Sequence, residues 1–264
     1  MQSYRSRPLR IVQITDTHLC SKPGGRLGSV DVDRCLAAVL RAIAADPGWQ
    51  PELLLLTGDL VQEVTSSAYE RVAAALTSLA APCFCLPGNH DDKALLAAAC
   101  KRTALRWEGT LTVGDWLLVF VDSVRPGEPG GHLSAAELER LQRVLGGHPA
   151  PHRLLLVHHQ PVPIGSPWLD TMMIDNAGDL FAVLDRDPRL RGLIFGHVHQ
   201  SFASCRRGLP IWGTPSTCLQ FTPGATRSSY DPIPPGYRWL ELHPDGQLLT
   251  GVRRVAPVPN APSA

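Results

Sequence analysis

Short apolar runs divide the chain, and five of them run directly into polar clusters. Leu9–Ile14, Leu53–Thr57, Cys83–Leu86, Leu154–Val157 and Leu193–Phe195 read as strands, being brief, rich in Leu, Ile, Val and Phe, and bounded by turn residues. Helical spacing fills the gaps. Asp31 to Ala45 has helical periodicity and stops at Asp46-Pro47-Gly48. Ser67-Ala68-Tyr69-Glu70 and Ser134-Ala135-Ala136-Glu137 have capping-box form, predicting helices to about Leu79 and to Leu145. Further helices are expected at Lys93 to Cys100 and Asn176 to Leu184.

Leu111–Val113 and Trp116–Val121 flank Gly114-Asp115 and read as a hairpin;. After His199 the pattern changes to short strands at Phe202–Cys205, Leu209–Trp212, Arg238–Leu242 and Gln247–Arg253. The alternation of strand and helix predicts an α/β protein. Nothing divides residues 1–255 into two domains, and the Pro- and Ala-rich stretch 256–264 reads as a disordered tail;.

Composition narrows the class. With 264 residues, 44% hydrophobic and 19% charged, the chain can bury a core without disulfides. A formal net charge of +1 and no long Lys/Arg run argue against binding duplex nucleic acid. No apolar stretch of signal-peptide kind follows Met1 to Pro8, and Leu53 to Leu56 is far too short to span a bilayer;. Seven scattered cysteines form no framework, and Cys83 and Cys85 read as buried reduced thiols on one strand face. Together these features point to a cytoplasmic protein with no membrane partner.

The polar clusters carry the chemistry. They are Asp16-Thr17-His18, Gly58-Asp59, Gly88-Asn89-His90, His158-His159 and Gly196-His197-Val198-His199. Residues two apart on an extended exit point the same way, so Asp16 can act with His18, and His197 with His199. Gly58 allows a sharp turn before Asp59, whose two oxygens suit it to bridge two ions. Asn89 offers an amide oxygen and His158 an imidazole. Two divalent ions bring four positive charges, and Asp16 and Asp59 remove two. The surplus can hold a hydroxide and a phosphodiester, clamped by metals roughly 3.5–4 Å apart. His90 is then spare to protonate a leaving oxygen or stabilise the transition state.

Each cluster alone has a plainer explanation. Gly88-Asn89-His90-Asp91 could be a turn with a helix cap, and Gly196-His197-Val198-His199 a surface turn. All five in order after apolar strands favour a metal site. His132, His148, His152 and His243 lie in turn-like or polar contexts and read as solvated surface.

This order of motifs resembles the calcineurin-like metallophosphoesterases over most of the chain. The resemblance implies a four-layer α/β/β/α sandwich with a dimetal site at the strand ends. It implies that Asp16, His18, Asp59 and His199 hold one ion, and Asp59, Asn89, His158 and His197 the other. It also implies His90 as the catalytic, phosphate-contacting histidine, with His18, Asp59, Asn89 and His199 also meeting substrate. The choice of His158 over His159 rests on this resemblance.

Three further segments are similar to the bacterial class III 3',5'-cyclic AMP phosphodiesterases: Asp122 to Gly131, His158 to Ser166 and Thr214 to Cys218. Pro235 to Trp239 fits as well, while Gln160 departs from a position where relatives often carry proline. The implied reaction opens 3',5'-cyclic AMP to 5'-AMP through a metal-bound hydroxide. Mixed N and O donors suit Fe(II) or Mn(II), though Zn(II) binds such sites at least as well. The expected partner is a small cyclic nucleotide, and the expected assembly a monomer or homodimer. Rival substrates are 2',3'-cyclic nucleotides, glycerophosphodiesters and nucleotide-linked lipids. A non-catalytic scaffold of the same fold should lack a ligand or the histidine after Asn89, and this chain has the full set.

Overall fold

The computed structural model describes residues 7–256. In chain order, β1 (Leu9–Ile14), β2 (Arg26–Leu27) and β3 (Val30–Asp31) lead to α1 (Val32–Ala44) and β4 (Leu53–Thr57). Next come α2 (Ser66–Leu76) with a short 3-10 turn, β5 (Cys83–Leu86), α3 (Lys93–Arg102) and β6 (Leu105–Arg106). The second half begins with β7 (Thr110–Val113), β8 (Trp116–Val121), α4 (Ala135–Gly147), β9 (His152–Val157), α5 (Pro167–Asp170), α6 (Ala177–Leu184) and β10 (Leu190–Phe195). It closes with β11 (Phe202–Arg206), β12 (Leu209–Gly213), β13 (Gln220–Phe221), β14 (Tyr230–Asp231), β15 (Gly236–Leu242) and β16 (Leu248–Arg254).

Two six-stranded sheets result, ordered β16-β15-β1-β4-β5-β6 and β11-β12-β10-β9-β8-β7. The central strands are apolar at successive positions because both of their faces are covered. Leu53 and Leu55 point between the sheets, while Leu54 and Leu56 face the helices. On the other sheet Leu154 and Leu156 point inward, and Leu155 and Val157 point to the outer helices. Three apolar layers therefore separate four structural ones, the α/β/β/α order expected from the family resemblance. Cys83 and Cys85 lie in the same outer layer, and all seven cysteines are free.

Strands β1, β4 and β5 run parallel, as do β8, β9, β10 and β12. Register aligns their ends: Ile14 lies beside Leu56, Thr57 beside Leu86, and Val157 beside Phe195. Five loops thus leave the two sheets at one rim.

Several local expectations change. Helix α2 is capped by Thr65, whose side chain accepts from Ala68 N, with Ser67 already inside the first turn. Thr65 has the extended backbone that a capping oxygen requires;. At α4 Ser134 caps Glu137 N, but the Glu137 side chain turns to Asp122 N and Arg140. His152 is buried rather than solvated, because it begins β9 opposite Trp116 and its ring packs there at 5.4 Å. From Pro257 on, the expected tail lies outside the described residues.

A polar joint links the sheets beneath the rim. Gln13 Nε2 donates to Thr57 Oγ1 (2.8 Å), and Thr214 Oγ1 donates to Gln13 Oε1 (2.5 Å). Arg238 Nε donates to Thr214 Oγ1 (2.9 Å), and Nη2 to Gly213 O (2.9 Å). Burial lowers Arg238 to about 10. Satisfied polar groups at this depth fix register, because any slip leaves a buried donor unpaired.

Candidate metal centre

The backbone sews the loops after β1 and β4 together at the rim. Asp16 N donates to Gly58 O (3.0 Å) and His18 N to Asp59 O (3.1 Å). Within the second sheet Gly196 N donates to His158 O (3.1 Å), and His197 N joins that sheet to the first by donating to the Asp16 carboxylate (3.1 and 3.2 Å). Asp16, Asp59, His158, His197 and His199 are all buried, as is His18.

The expected extended exits are not what brings these side chains together. Asp16, His18, Asp59, His197 and His199 have φ of 53°, 45°, 51°, 65° and 49°. Only two other non-glycine residues among those described have positive φ, Ala80 and Arg207. Left-handed backbone costs about 1–3 kcal/mol at such residues and persists only where surroundings impose it. Here the turns fold each donor back over the strand ends. Gly88 has a different task. A β-carbon on it would collide with the Asp59 carboxylate and the His158 ring.

The donors form two adjoining groups that meet at Asp59. On one side stand Asp16, His18 and His199. His199 Nε2 lies 3.3 Å from Asp16 Oδ1 and 3.3 Å from His18 Nε2. His18 Nε2 lies 3.7 Å from Asp59 Oδ2. On the other side His158 Nε2 lies 3.4 Å from Asp59 Oδ1 and 3.2 Å from Asn89 Oδ1. His197 joins His158 and His159 in a group whose donor atoms fall within 4.8 Å of one another. His197 and His199 therefore lie in different groups, although simple side-chain alternation would put them together.

Three of the rings are aimed by their other nitrogen. His158 Nδ1 meets Thr57 O (2.8 Å), His199 Nδ1 meets Leu219 O (2.9 Å) and His18 Nδ1 meets Gln62 Oε1 (2.9 Å). Facing these acceptors, Nδ1 carries a proton, so Nε2 is the ring nitrogen turned toward a cation. Gln62 was not foreseen, because an isolated glutamine carries no motif.

His159 stays close to His158. The residues after Val157 leave the strand, so alternation does not send the His158 and His159 rings to opposite faces. The His159 ring packs 4.7 Å from His197 and 4.8 Å from His158, with Nδ1 on Ser123 Oγ (2.8 Å). His159 is fully buried beneath the cluster. Gln160, at the position where relatives often carry proline, donates to Leu169 O (2.8 Å) and ties down the following loop.

Electrostatics fit a cation. Burial alone would raise Asp59, but His158 and His18 hold it well below the usual carboxylate range. Burial opposes charge on His158, yet Asp59 outweighs it and lifts the ring to about 9. Burial lowers His18 to about 4 against the pull of Asp59, and lowers His197 to about 3 with help from His158. The Nε2 atoms of His197 and His159 are buried without a hydrogen-bond partner. Buried carboxylates facing the uncharged rings of His18 and His197, the second with an orphaned nitrogen, are a donor set suited to divalent metal;.

Asp91 supports the loop from below. Its carboxylate accepts from Gly88 N (2.9 Å) and Leu60 N (3.2 Å), and burial with nearby Asp59 raises it to about 7. The cap of α3 is the next residue, Asp92. His90 is half-buried. Its backbone N donates to Asp59 Oδ1 (2.9 Å), and its ring stands edge-on to His18 at 4.9 Å.

A cleft opens over this floor. His18, Asp59, Asn89, His90, His197 and His199 line it, and Leu27, Trp168, Phe221 and Tyr230 form an apolar wall. The wall was not read from the sequence. Among the described residues no helix is long and apolar enough to cross a membrane.

Known proteins resemble the chain in sequence and in fold. The chain is 40% identical to the 3',5'-cyclic adenosine monophosphate phosphodiesterase CpdA of Escherichia coli (strain K12), over 97% of this chain and 95% of that protein. It is also 40% identical to the CpdA phosphodiesterase of Pseudomonas aeruginosa, over 93% of this chain and 89% of the relative. A dimetal phosphatase from Danio rerio shares the fold, with a TM-score of 0.65, 14% identity, and coverage of 94% of this chain and 96% of that one. Residues 9–201 match the calcineurin-like phosphoesterase family, and the chain belongs to it.

Proposed function

We propose that this protein is a phosphodiesterase that opens 3',5'-cyclic AMP to 5'-AMP using two divalent ions. The similarity to the Escherichia coli cyclic AMP phosphodiesterase across 97% of the chain carries the reading. Asp16, His18, Asp59 and His199 would hold one ion, and Asp59, Asn89, His158 and His197 the other, with Fe(II) or Mn(II) the ions expected. When bound, such ions supply Lewis acidity to phosphoryl oxygens and make water more acidic.

The chain's own groups do the rest. Asp59 presents one oxygen toward His18 and the other toward His158, so one carboxylate serves both halves. Thr57 O, Leu219 O and the Gln62 amide keep the rings from turning. His90 lies close to His18 and Asp59, its donor atom within 4.8 Å of theirs, and we read it as meeting substrate rather than metal. As a water oxygen bonds to phosphorus and the bond from phosphorus to the 3' oxygen breaks, that oxygen takes a proton from His90, and the proton lost by the water leaves to solvent, from which the ring is reprotonated. His18, Asp59, Asn89 and His199 line the same cleft as His90 and would border the diester. We read the enzyme as cytoplasmic, acting as a monomer or homodimer, without membrane or duplex partners.

A substrate panel tests this. Metal-loaded protein should turn over 3',5'-cyclic AMP faster than 2',3'-cyclic AMP or glycerophosphodiesters. Preference for either of those would move the substrate and leave the family unchanged.

A further inference from the structure

One side of the cleft plays no part in holding metal or moving protons. Strands β13 and β14 place Phe221 opposite Tyr230. The His199 ring stacks on Phe221 with centroids 4.3 Å apart and planes at 23°. Phe221 in turn lies nearly parallel to Tyr230, at 6.0 Å and 21°. Trp168, on the short helix α5, sets its ring edge-on to Phe221 at 4.9 Å. Ring faces therefore run without a break from a donor imidazole on the cleft floor to solvent at its mouth.

The outer end of this run is uncovered. Tyr230 is 58% exposed, the most exposed large apolar side chain among the described residues. The β2–β3 turn passes close by: a β-carbon added at Gly28 would lie 3.5 Å from Tyr230 Cε2. Leu27 from the same hairpin lines the cleft too. The wall is thus apolar and aromatic, and its outermost ring is largely exposed.

A cyclic nucleotide has two chemically distinct ends. Its diester is anionic and belongs over the carboxylate and imidazole floor. Its purine is planar and weakly hydrated on its faces, and stacks on aromatic side chains whatever its sequence identity. With the diester on the floor, the base reaches the wall adjoining it.

We propose that Tyr230, backed by Phe221 and Trp168, is the stacking platform for the substrate's purine base. This rests on the reading above that the substrate is a cyclic nucleotide. Tyr230 acts on affinity through its ring face and takes no part in bond breaking.

The test compares two ligands that differ only by the base. 5'-AMP and ribose 5-phosphate are titrated into Mn(II)-loaded protein by calorimetry, with metal content measured for each variant. Wild type should bind 5'-AMP more tightly by about tenfold, within the range expected for one stacked base. Tyr230→Leu keeps apolar area but removes the π face, and should shrink that ratio to about twofold. Tyr230→Phe should restore it. Because the readout is a ratio, changes common to both ligands, such as altered metal loading, cancel.

An unchanged ratio in Tyr230→Leu would overturn the proposal, and so would wild type that does not favour 5'-AMP. These outcomes separate from failure of the reaction itself. A tenfold ratio lost in the Leu variant, in protein that leaves cyclic AMP intact, would keep the stacking site and reject the assigned substrate. Hydrolysis of cyclic AMP without any base advantage would keep the reaction and reject the site.

Discussion

The donor cluster and the aromatic wall share one cleft but are built in opposite ways. The cluster stands on buried strands whose ends are aligned by register, and five of its residues, Asp16, His18, Asp59, His197 and His199, are held in left-handed backbone. The wall stands on two-residue strands and a four-residue helix, and its outermost ring faces water. Ion binding needs donors fixed closely in space, so the surrounding fold must impose strain and burial. Stacking needs only a flat face at an approximate distance, and a short hairpin supplies that. Substitutions in the cluster should therefore affect metal and turnover, and those in the wall should affect affinity.

The largest effect should come from Asp59→Asn. Asparagine tolerates the left-handed backbone, so the fold is spared while the shared negative charge is lost. Metal content should fall at both halves and hydrolysis should drop to background. Atomic emission showing two ions in this variant would remove Asp59 from its bridging place.

His90→Ala comes next and divides the cluster from its chemistry. It should lower kcat by about 10²–10⁴-fold, the span of a lost general acid, and keep both ions. Loss of metal equal to that in Asp59→Asn would make His90 a ligand instead.

His158→Ala and His159→Ala sharpen the boundary beneath the floor. The His158 Nε2 atom meets Asp59 and Asn89, whereas His159 uses Nδ1 on Ser123. His158→Ala should empty one half, and His159→Ala should retain more metal. The reverse ranking, read from metal content, would move the donor by one residue. Smaller still, Gln62→Ala frees the His18 ring and should weaken metal binding by about 10–100-fold, as lost outer partners do. Unchanged affinity in a chelator competition would show that the 2.9 Å contact from Gln62 does not orient His18.

The same contrast explains what could be read in advance. Leu53–Thr57 and Leu154–Val157 were legible because strands covered on both faces leave unbroken apolar runs;. The donors were legible because only certain side chains bind metal, and each followed such a run. Their left-handed backbone was not, since Asp and His also adopt extended conformations. His152 was misread because a polar neighbourhood hid its place opposite Trp116. Trp168, Phe221 and Tyr230 gave no signal, because two-residue strands carry no period and the rings meet only in the fold. The joint of Gln13, Thr214 and Arg238 was invisible for the same reason.

The central claim is that one buried floor holds two ions and uses them on a cyclic nucleotide. The most direct measurement titrates Mn(II) into chelator-stripped protein while following both bound metal and 3',5'-cyclic AMP hydrolysis. Activity should be absent without metal, rise with loading, and reach its plateau at two ions per chain. Full activity with less than one ion per chain would contradict the account.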